Sequence, residues 1–143
     1  MDKEQRHRSV KAEKVFERLW GREVAKGGFT QIPRRIIQKP RDLHKDIKSQ
    51  HVAILVYLIS RWNYNQPLPF CSISTMTKDL RQGKDSLVKK LKDLERWGLL
   101  KKMKRRKKHN PKEWDSNQYD LKPLAELVAA KQKEADELEE FLK

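Results

Sequence analysis

SISTMTKDLRQGKDSLVKKLKDLERWGLL, residues 72–100, is the stretch that decides the fold of this chain. It starts with a predicted helix that begins at Ile73 and ends at Leu80, and these two residues share one face with Met76. Ser72 precedes this helix, and its hydroxyl oxygen can accept a hydrogen bond from a free backbone N–H of the first turn. The pattern therefore predicts a short amphipathic helix with a capped start.

A tight turn and a second helix follow. Arg81, Gln82 and Gly83 are predicted to form the turn, because a glycine adopts a positive φ without steric cost. The second helix then covers residues 84–97, and Gly98 ends it. Its apolar residues recur at spacings of three and four, which predicts a stripe that faces the core. They are Leu87, Leu91 and Leu94.

The opposite face of the second helix is polar and mostly cationic, because positions half a turn away from a buried stripe stay solvated. Ordinary surface lysines are one interpretation, but a cationic helix directly after a tight turn is typical of a helix that enters the DNA major groove. Asp85 either accepts a hydrogen bond from a base or stabilises the start of the helix. The predicted DNA-binding residues here are Lys84, Asp85, Ser86, Lys89, Lys90 and Lys92.

The segment after the second helix predicts two strands joined by a basic loop. Residues 99–103 and 114–121 have strand patterns, and Asn110 and Pro111 favour a turn between them. Eight cations within twelve residues are Lys101, Lys102, Lys104, Arg105, Arg106, Lys107, Lys108 and Lys112. A solvated loop or a targeting signal is the alternative to contact with phosphates or the minor groove. The order helix, turn, helix, hairpin predicts a winged helix-turn-helix, and this hairpin is its wing.

These segments carry a resemblance to a known group of proteins. The run of residues 72–100, followed by a basic hairpin that ends in NQYDL, resembles the winged-helix domain of phage and plasmid replication initiators and replisome organisers. Upstream, FTQIPRRII, VAILVYLI and RWNYNQPLPF fit the same layout, so the resemblance covers residues 29–121. It implies origin binding and recruitment of a helicase or its loader. Arg81 is a departure, since many relatives have glycine in the turn.

Outside this domain, the sequence predicts an extra helix at each end. We divide the chain into a basic N-terminal helix and linker at 1–27, the DNA-binding domain at 28–122 and an acidic helix at 123–143. In the acidic helix, apolar residues recur at steps of four and three, as in a short coiled-coil seam. They are Leu124, Val128, Ala135, Leu138 and Leu142. Such a helix is marginal alone, which predicts a homodimer through the terminal helices; packing within one chain is the alternative.

The remaining segments supply the core and further polar contacts. A main buried helix is predicted at 46–63, a short helical turn after Pro33, and a small strand at 68–71 that pairs with the wing. Five aromatic residues are predicted to pack in the core rather than to stack on bases. They are Trp62, Tyr64, Trp97, Trp114 and Tyr119. Further predicted phosphate contacts are Arg34, Arg35 and Lys39, and Asn117 bonds either the hairpin backbone or a phosphate.

Composition limits the class of partner. The 34 Lys and Arg residues against 20 Asp and Glu give a formal charge of +14, which favours a polyanionic partner, first of all double-stranded DNA. A membrane interaction is disfavoured, because the longest apolar run is far below the roughly 20 residues that span a bilayer. The start MDKEQRHR is unlike a secretory signal, and the lone Cys71 suits a reducing compartment, so we expect a cytoplasmic protein.

Catalysis has little support in the sequence. The four histidines are scattered, with no partners at metal-ligand spacing, and no glycine-rich phosphate loop is present. We therefore expect no metal, no cofactor and no enzymatic activity. The leading hypothesis is a sequence-specific DNA-binding replication initiation factor of a phage or plasmid. A transcriptional regulator that binds a promoter operator and an architectural or segregation protein are the alternatives.

Overall fold

The computed structural model describes residues 3–62, 68–103 and 117–143, with the backbone alone for 3–10. This part of the chain is mainly helical with a small three-stranded antiparallel sheet, as the sequence predicts. It divides into two compact units, Met1–Gln31 and Ile32–Lys143. The helices are α1 Lys3–Trp20, α2 Arg22–Lys26, α3 Arg34–Gln38, α4 Ser49–Ser60, α5 Ile73–Leu80, α6 Lys84–Arg96 and α7 Lys122–Leu142. The strands are β1 Phe70–Cys71, β2 Lys101–Met103 and β3 Asn117–Asp120, and a 3₁₀ turn covers Pro40–Asp42.

The first unit consists of α1, α2 and the segment that follows. Gly21 separates the two helices with a φ of 91°, a conformation that side chains other than glycine rarely adopt. Phe16 stacks on Phe29 with ring centroids 4.6 Å apart, and Trp20 lies one helical turn further along. Leu19 and Trp20 are exposed, so the apolar stripe of α1 is only partly covered.

The second unit is built around α4, whose Ile54, Leu55 and Leu58 are completely buried. A helix buried on most of its surface is apolar nearly all round, which explains its run of β-branched residues. The predicted helix is confirmed, but it is shorter than 46–63 because α4 begins at Ser49 and ends at Ser60. Trp62, predicted to pack, is 36% exposed just after the helix.

The pair α5 and α6 packs on this core. The α5 helix has the predicted bounds, and the Ser72 hydroxyl caps it by accepting from the Thr75 N–H at 3.1 Å. Met76 is buried on α5, and the whole predicted stripe of α6 is buried as well. The turn predicted at 81–83 is confirmed, since α5 ends at Leu80 and α6 begins at Lys84. The positive φ is not at the glycine, however: Gly83 has a φ of −63°, whereas Arg81 adopts the left-handed conformation with a φ of 53°. Gly98 ends α6 with a φ of 74°, as predicted.

The sheet has the strand order β1-β3-β2, with both pairs antiparallel. The predicted strand at 68–71 is therefore confirmed over Phe70–Cys71, and it pairs with β3. Tyr119 on β3 is completely buried, as predicted for a core residue. Burial raises the pKa of its hydroxyl to about 12. Trp114 and Tyr64 lie outside the described residues.

The long helix α7 has two different halves. Its first two turns belong to the core: Leu124 is 2% exposed, and Val128 packs against the buried cluster. Beyond them, Leu138 is 59% exposed and Phe141 84% exposed. The prediction that Leu124 belongs to a dimerisation seam is therefore wrong, because this side chain is already covered within its own chain. Only the distal half of α7 keeps an open apolar surface.

Candidate nucleic-acid interface

The cationic face of α6 lies on the outside of the second unit. Among the predicted DNA-binding residues, Lys84, Asp85, Lys89 and Lys92 are exposed, while Ser86 and Lys90 are half-buried. The Lys90 ammonium donates to the Ser86 hydroxyl at 2.7 Å, one helical turn away. Since the opposite face of the same helix is buried, α6 rests on the core and presents its cations to the solvent.

The start of α6 has no side-chain cap, because Gly83 occupies the capping position. Gly83 therefore offers no side-chain acceptor to the first backbone N–H groups of the helix, which lack an intrahelical partner in any α-helix. Asp85 lies in the first turn, where the positive end of the helix dipole attracts a carboxylate. An acidic residue is therefore favoured at this position within an otherwise cationic face, and its side chain is exposed.

A histidine on α4 holds α6 in place. The His51 Nδ1 accepts the backbone N–H of Lys48 at 2.9 Å, so the ring proton is on Nε2. Nε2 donates to the Asp93 carboxylate on α6 at 3.0 Å, and the His51 side chain is only 4% exposed. Arg96 donates to the other oxygen of Asp93 at 2.8 Å. Sequence reasoning missed this contact because the two residues are 42 positions apart.

The end of α6 is fixed by aromatic stacking. Trp97, which follows the last residue of the helix, stacks on His44 with ring centroids 4.1 Å apart and an interplanar angle of 8°. The His51 ring lies 4.7 Å from the same indole at a tilted angle. Trp97 is therefore a packing residue, as predicted, and the His51 side chain contacts both Asp93 on α6 and the indole that follows this helix. The rings of His44, His51 and Trp97 thus pack together beside the end of the cationic helix.

A second polar cluster joins α4 to α5. The Tyr57 hydroxyl donates to the Asp79 carboxylate at 2.5 Å and accepts from the Arg61 guanidinium at 2.8 Å. The guanidinium also lies 5.0 Å from the centre of the Tyr57 ring, within reach of a cation–π contact. Burial and the hydrogen bond to Asp79 raise the pKa of Tyr57. This cluster holds α5 on the core, and α5 in turn supports the turn that leads into α6.

The Asp93 contact predicts a pH dependence of stability. The hydrogen bond from His51 holds the pKa of Asp93 below its ordinary value of 3.8. A carboxyl with a lowered pKa in the folded state stabilises the fold above its unfolded pKa, and this contribution is lost as the pH falls through the folded pKa. We expect the free energy of unfolding of the wild type to fall more steeply below about pH 4 than that of Asp93→Asn. Urea unfolding across this pH range measures both slopes, and parallel curves would contradict the prediction.

The predicted cations of α3 have different environments. Arg34 and Lys39 are exposed and remain open to an anion. Arg35 is not open to an anion in this way, because its side chain is only 11% exposed and its guanidinium pairs with Asp42. The same guanidinium lies 3.4 Å from the Gln132 amide oxygen on α7. The prediction of a phosphate contact at Arg35 is therefore wrong, because this residue ties α3 to the following turn and to α7.

Of the predicted wing, only the paired strands β2 and β3 lie within the described residues. Lys101 is exposed and Lys102 half-buried on β2, opposite Asp120 and Tyr119 of β3. Asn117 is half-buried on β3, where it pairs with Cys71 of β1. The other six predicted wing cations lie outside the described residues. They are Lys104, Arg105, Arg106, Lys107, Lys108 and Lys112.

Other kinds of site find no support in the described ranges. No three His, Cys, Asp or Glu side chains there are placed to hold a metal ion together. No helix in the same ranges has the length and apolar character needed to cross a membrane. Comparison with protein-family models, curated proteins and solved structures finds no match for this chain. Its function is therefore inferred from its residues and their geometry.

Proposed function

We propose that this protein is a winged helix-turn-helix protein that binds double-stranded DNA, with α6 as its recognition helix. The supporting observation is the exposed cationic face of α6 opposite a fully buried apolar stripe. A helix that lies on a core and follows a three-residue turn can enter a major groove without losing its packing. The formal charge of +14 supplies the long-range attraction to a polyanion.

In this proposal each element has a different task on DNA. The first half of α6, with Lys84 and Asp85, faces base edges in the major groove, and Lys89 and Lys92 contact the phosphates beside it. The wing that begins at Lys101 contacts phosphates or the adjacent minor groove, and Arg34 and Lys39 add phosphate contacts. His51 and Tyr57 do not contact DNA; they hold α6 and α5 at the angle that the groove requires.

The biological process that we propose is initiation of replication at a phage or plasmid origin in the cytoplasm. The resemblance of residues 29–121 to replication initiators and replisome organisers supports this process and implies contact with a helicase or its loader. The same module also serves transcriptional regulators. Origin binding predicts an array of sites beside an AT-rich segment, whereas a regulator binds a single operator that overlaps a promoter.

Selection of bound duplexes from a random DNA pool tests the proposal. It is carried out with the whole chain at about 0.15 M salt and with excess non-specific competitor, because weak phosphate contacts alone do not survive these conditions. An enriched motif supports contact with bases, and its arrangement in the genome separates an origin from an operator. Strong salt-dependent binding without enrichment would favour an architectural protein. No binding at all would refute the proposal.

We further propose that two copies associate through their terminal helices. The distal half of α7 combines exposed apolar side chains with five acidic residues. They are Glu134, Asp136, Glu137, Glu139 and Glu140. The helix α1 offers the opposite charge beside its own exposed Leu19 and Trp20. Apolar contact flanked by opposite charges favours pairing of α7 in one copy with α1 of a second copy. A dimer would present two recognition helices to half-sites about one helical turn apart.

The dimer is tested at Leu138. We expect Leu138→Asp to convert a dimer into a monomer, because a carboxylate in the middle of an apolar contact loses its hydration without gaining a partner. Sedimentation equilibrium measures the mass. Lys133→Asp is the matched control, since it introduces the same side chain at an exposed position on another face of α7. A monomeric wild type, or equal loss of the dimer in both variants, would contradict the prediction.

A further inference from the structure

The turn between α5 and α6 contains an unfavourable backbone conformation. Within the described residues, Arg81 is the residue other than glycine that has a positive φ, with φ 53° and ψ 40°. For an L-residue this conformation brings the Cβ close to the following carbonyl oxygen. Asparagine and aspartate reduce the penalty through local hydrogen bonds of their short side chains, which an arginine side chain does not make. Glycine has no Cβ and is the ordinary residue in this position.

Packing does not explain the arginine. The Arg81 side chain is exposed, and it makes no hydrogen bond or ion pair with any residue that the structure describes. The next residue, Gln82, is buried and lies 3.5 Å from the Gln50 carbonyl oxygen on α4, so the turn is anchored by Gln82 instead. The left-handed backbone at Arg81 ends α5, but a glycine would do the same without a Cβ, so this role does not require an arginine side chain. Backbone strain that persists at an exposed position indicates use of the side chain in function.

We propose that Arg81 binds a DNA phosphate at the edge of the groove that α6 enters. This inference rests on the proposed function and adds a residue to the same interface. Arg81 lies three positions before Lys84, the first residue of α6, whose capping residue Gly83 provides no side-chain cap. A guanidinium is suited to this contact because its planar set of donors can bind two phosphate oxygens at once.

Three variants of the whole chain test the proposal. Arg81→Gly removes the charge and the strain, Arg81→Lys keeps the charge, and Lys133→Ala removes a cation from the exposed surface of α7. Each is measured against a labelled pool of random-sequence duplex DNA by fluorescence anisotropy over a range of salt concentrations. Thermal unfolding of the free protein is recorded in parallel, because it reports the strain independently of DNA.

We expect Arg81→Gly to weaken binding about fivefold at about 0.15 M salt and to lower the slope of log K against log salt by about 0.9, the value for one phosphate. Its Tm stays equal to that of the wild type or rises, so misfolding does not explain the loss. Arg81→Lys and Lys133→Ala keep the wild-type slope. An Arg81→Gly protein that binds with wild-type affinity and slope would overturn the inference.

A fourth variant separates this inference from the proposed function. If Lys89→Ala weakens binding and Arg81→Gly does not, α6 binds DNA and only the role of Arg81 is refuted. If the wild type does not bind duplex DNA, the proposed function fails and the inference fails with it. A loss of Tm in Arg81→Gly would also refute the inference, because the arginine would then serve the fold.

Discussion

Alanine at both Lys89 and Lys92 is expected to weaken binding to duplex DNA about thirtyfold at about 0.15 M salt and to lower the salt slope by about 1.8. Both ammonium groups are exposed on the face of α6 that lies opposite its buried stripe. Each phosphate that a cation neutralises releases condensed counterions, so two lost contacts multiply in affinity and add in slope. Fluorescence anisotropy over a series of salt concentrations measures both quantities.

The matched control for this prediction removes two cations elsewhere. Lys133→Ala combined with Lys143→Ala changes the net charge by the same amount at exposed positions in and after α7. We expect this control to keep the wild-type salt slope, since long-range charge is screened beyond about 8 Å at this salt concentration. Equal losses of DNA affinity in the two double variants would mean that binding depends only on the total charge of the protein. No loss in either would mean that another face of the protein binds DNA.

The second large effect concerns the packing of α6 on the core. We expect Leu87→Ala to lower the free energy of unfolding by about 2–5 kcal/mol, because a completely buried leucine leaves a cavity that its neighbours fill only in part. Leu87 lies on α6 one turn after its start, where the helix packs in the same cluster as Met76 of α5. Urea unfolding measures the change, and the circular dichroism of the folded variant shows whether the helices are retained.

Leu138→Ala is the control, since it makes the same chemical change at a leucine that is 59% exposed. At a protein concentration low enough for any dimer to dissociate, we expect Leu138→Ala to change the free energy of unfolding by no more than about 0.5 kcal/mol. If Leu87→Ala and Leu138→Ala had equal free energies of unfolding, the apolar stripe of α6 would not be what packs this helix on the core. The face of α6 that we propose to bind DNA would then lose the support on which the proposed function depends.

Local sequence patterns predict α5 and α6 well, because the relevant physics is contained within a few residues. The Ser72 cap, the buried Met76 and the glycine that ends α6 each act over one helical turn. Apolar spacing likewise gives the stripe of α6 directly. The bounds of α4 are less accurate, because polar residues on both sides continue a helical pattern that the backbone leaves at Ser49 and Ser60.

The turn shows where local reasoning fails. Sequence propensity assigns the positive φ to Gly83, since glycine adopts it most easily. In the structure Arg81 ends α5 in the left-handed conformation, and Gly83 is extended so that α6 can begin directly after it. The angle between the two helices and the burial of Gln82 decide which residue of the turn takes the positive φ. Neither factor can be predicted from the propensity of a single residue.

Tertiary polar contacts are the other part that sequence patterns do not predict. His51 with Asp93, and Tyr57 with Asp79, join residues on different helices. Arg35 is another example: it lies in a basic segment and was predicted to contact a phosphate, but its guanidinium pairs with Asp42. A charged side chain is assigned to solvent or to a partner only when the packing of its helix is known.

The imidazole of His51 has a further consequence for substitution at position 51. Nδ1 accepts a hydrogen bond from the backbone at the start of α4, Nε2 donates one to Asp93 on α6, and the ring lies beside the indole of Trp97. Asparagine could supply both an acceptor and a donor but no ring, while phenylalanine has the ring without either nitrogen. We therefore expect natural variants of this protein to retain histidine here even where the lysines that we propose to face DNA vary, since those lysines take no part in packing α6 on α4.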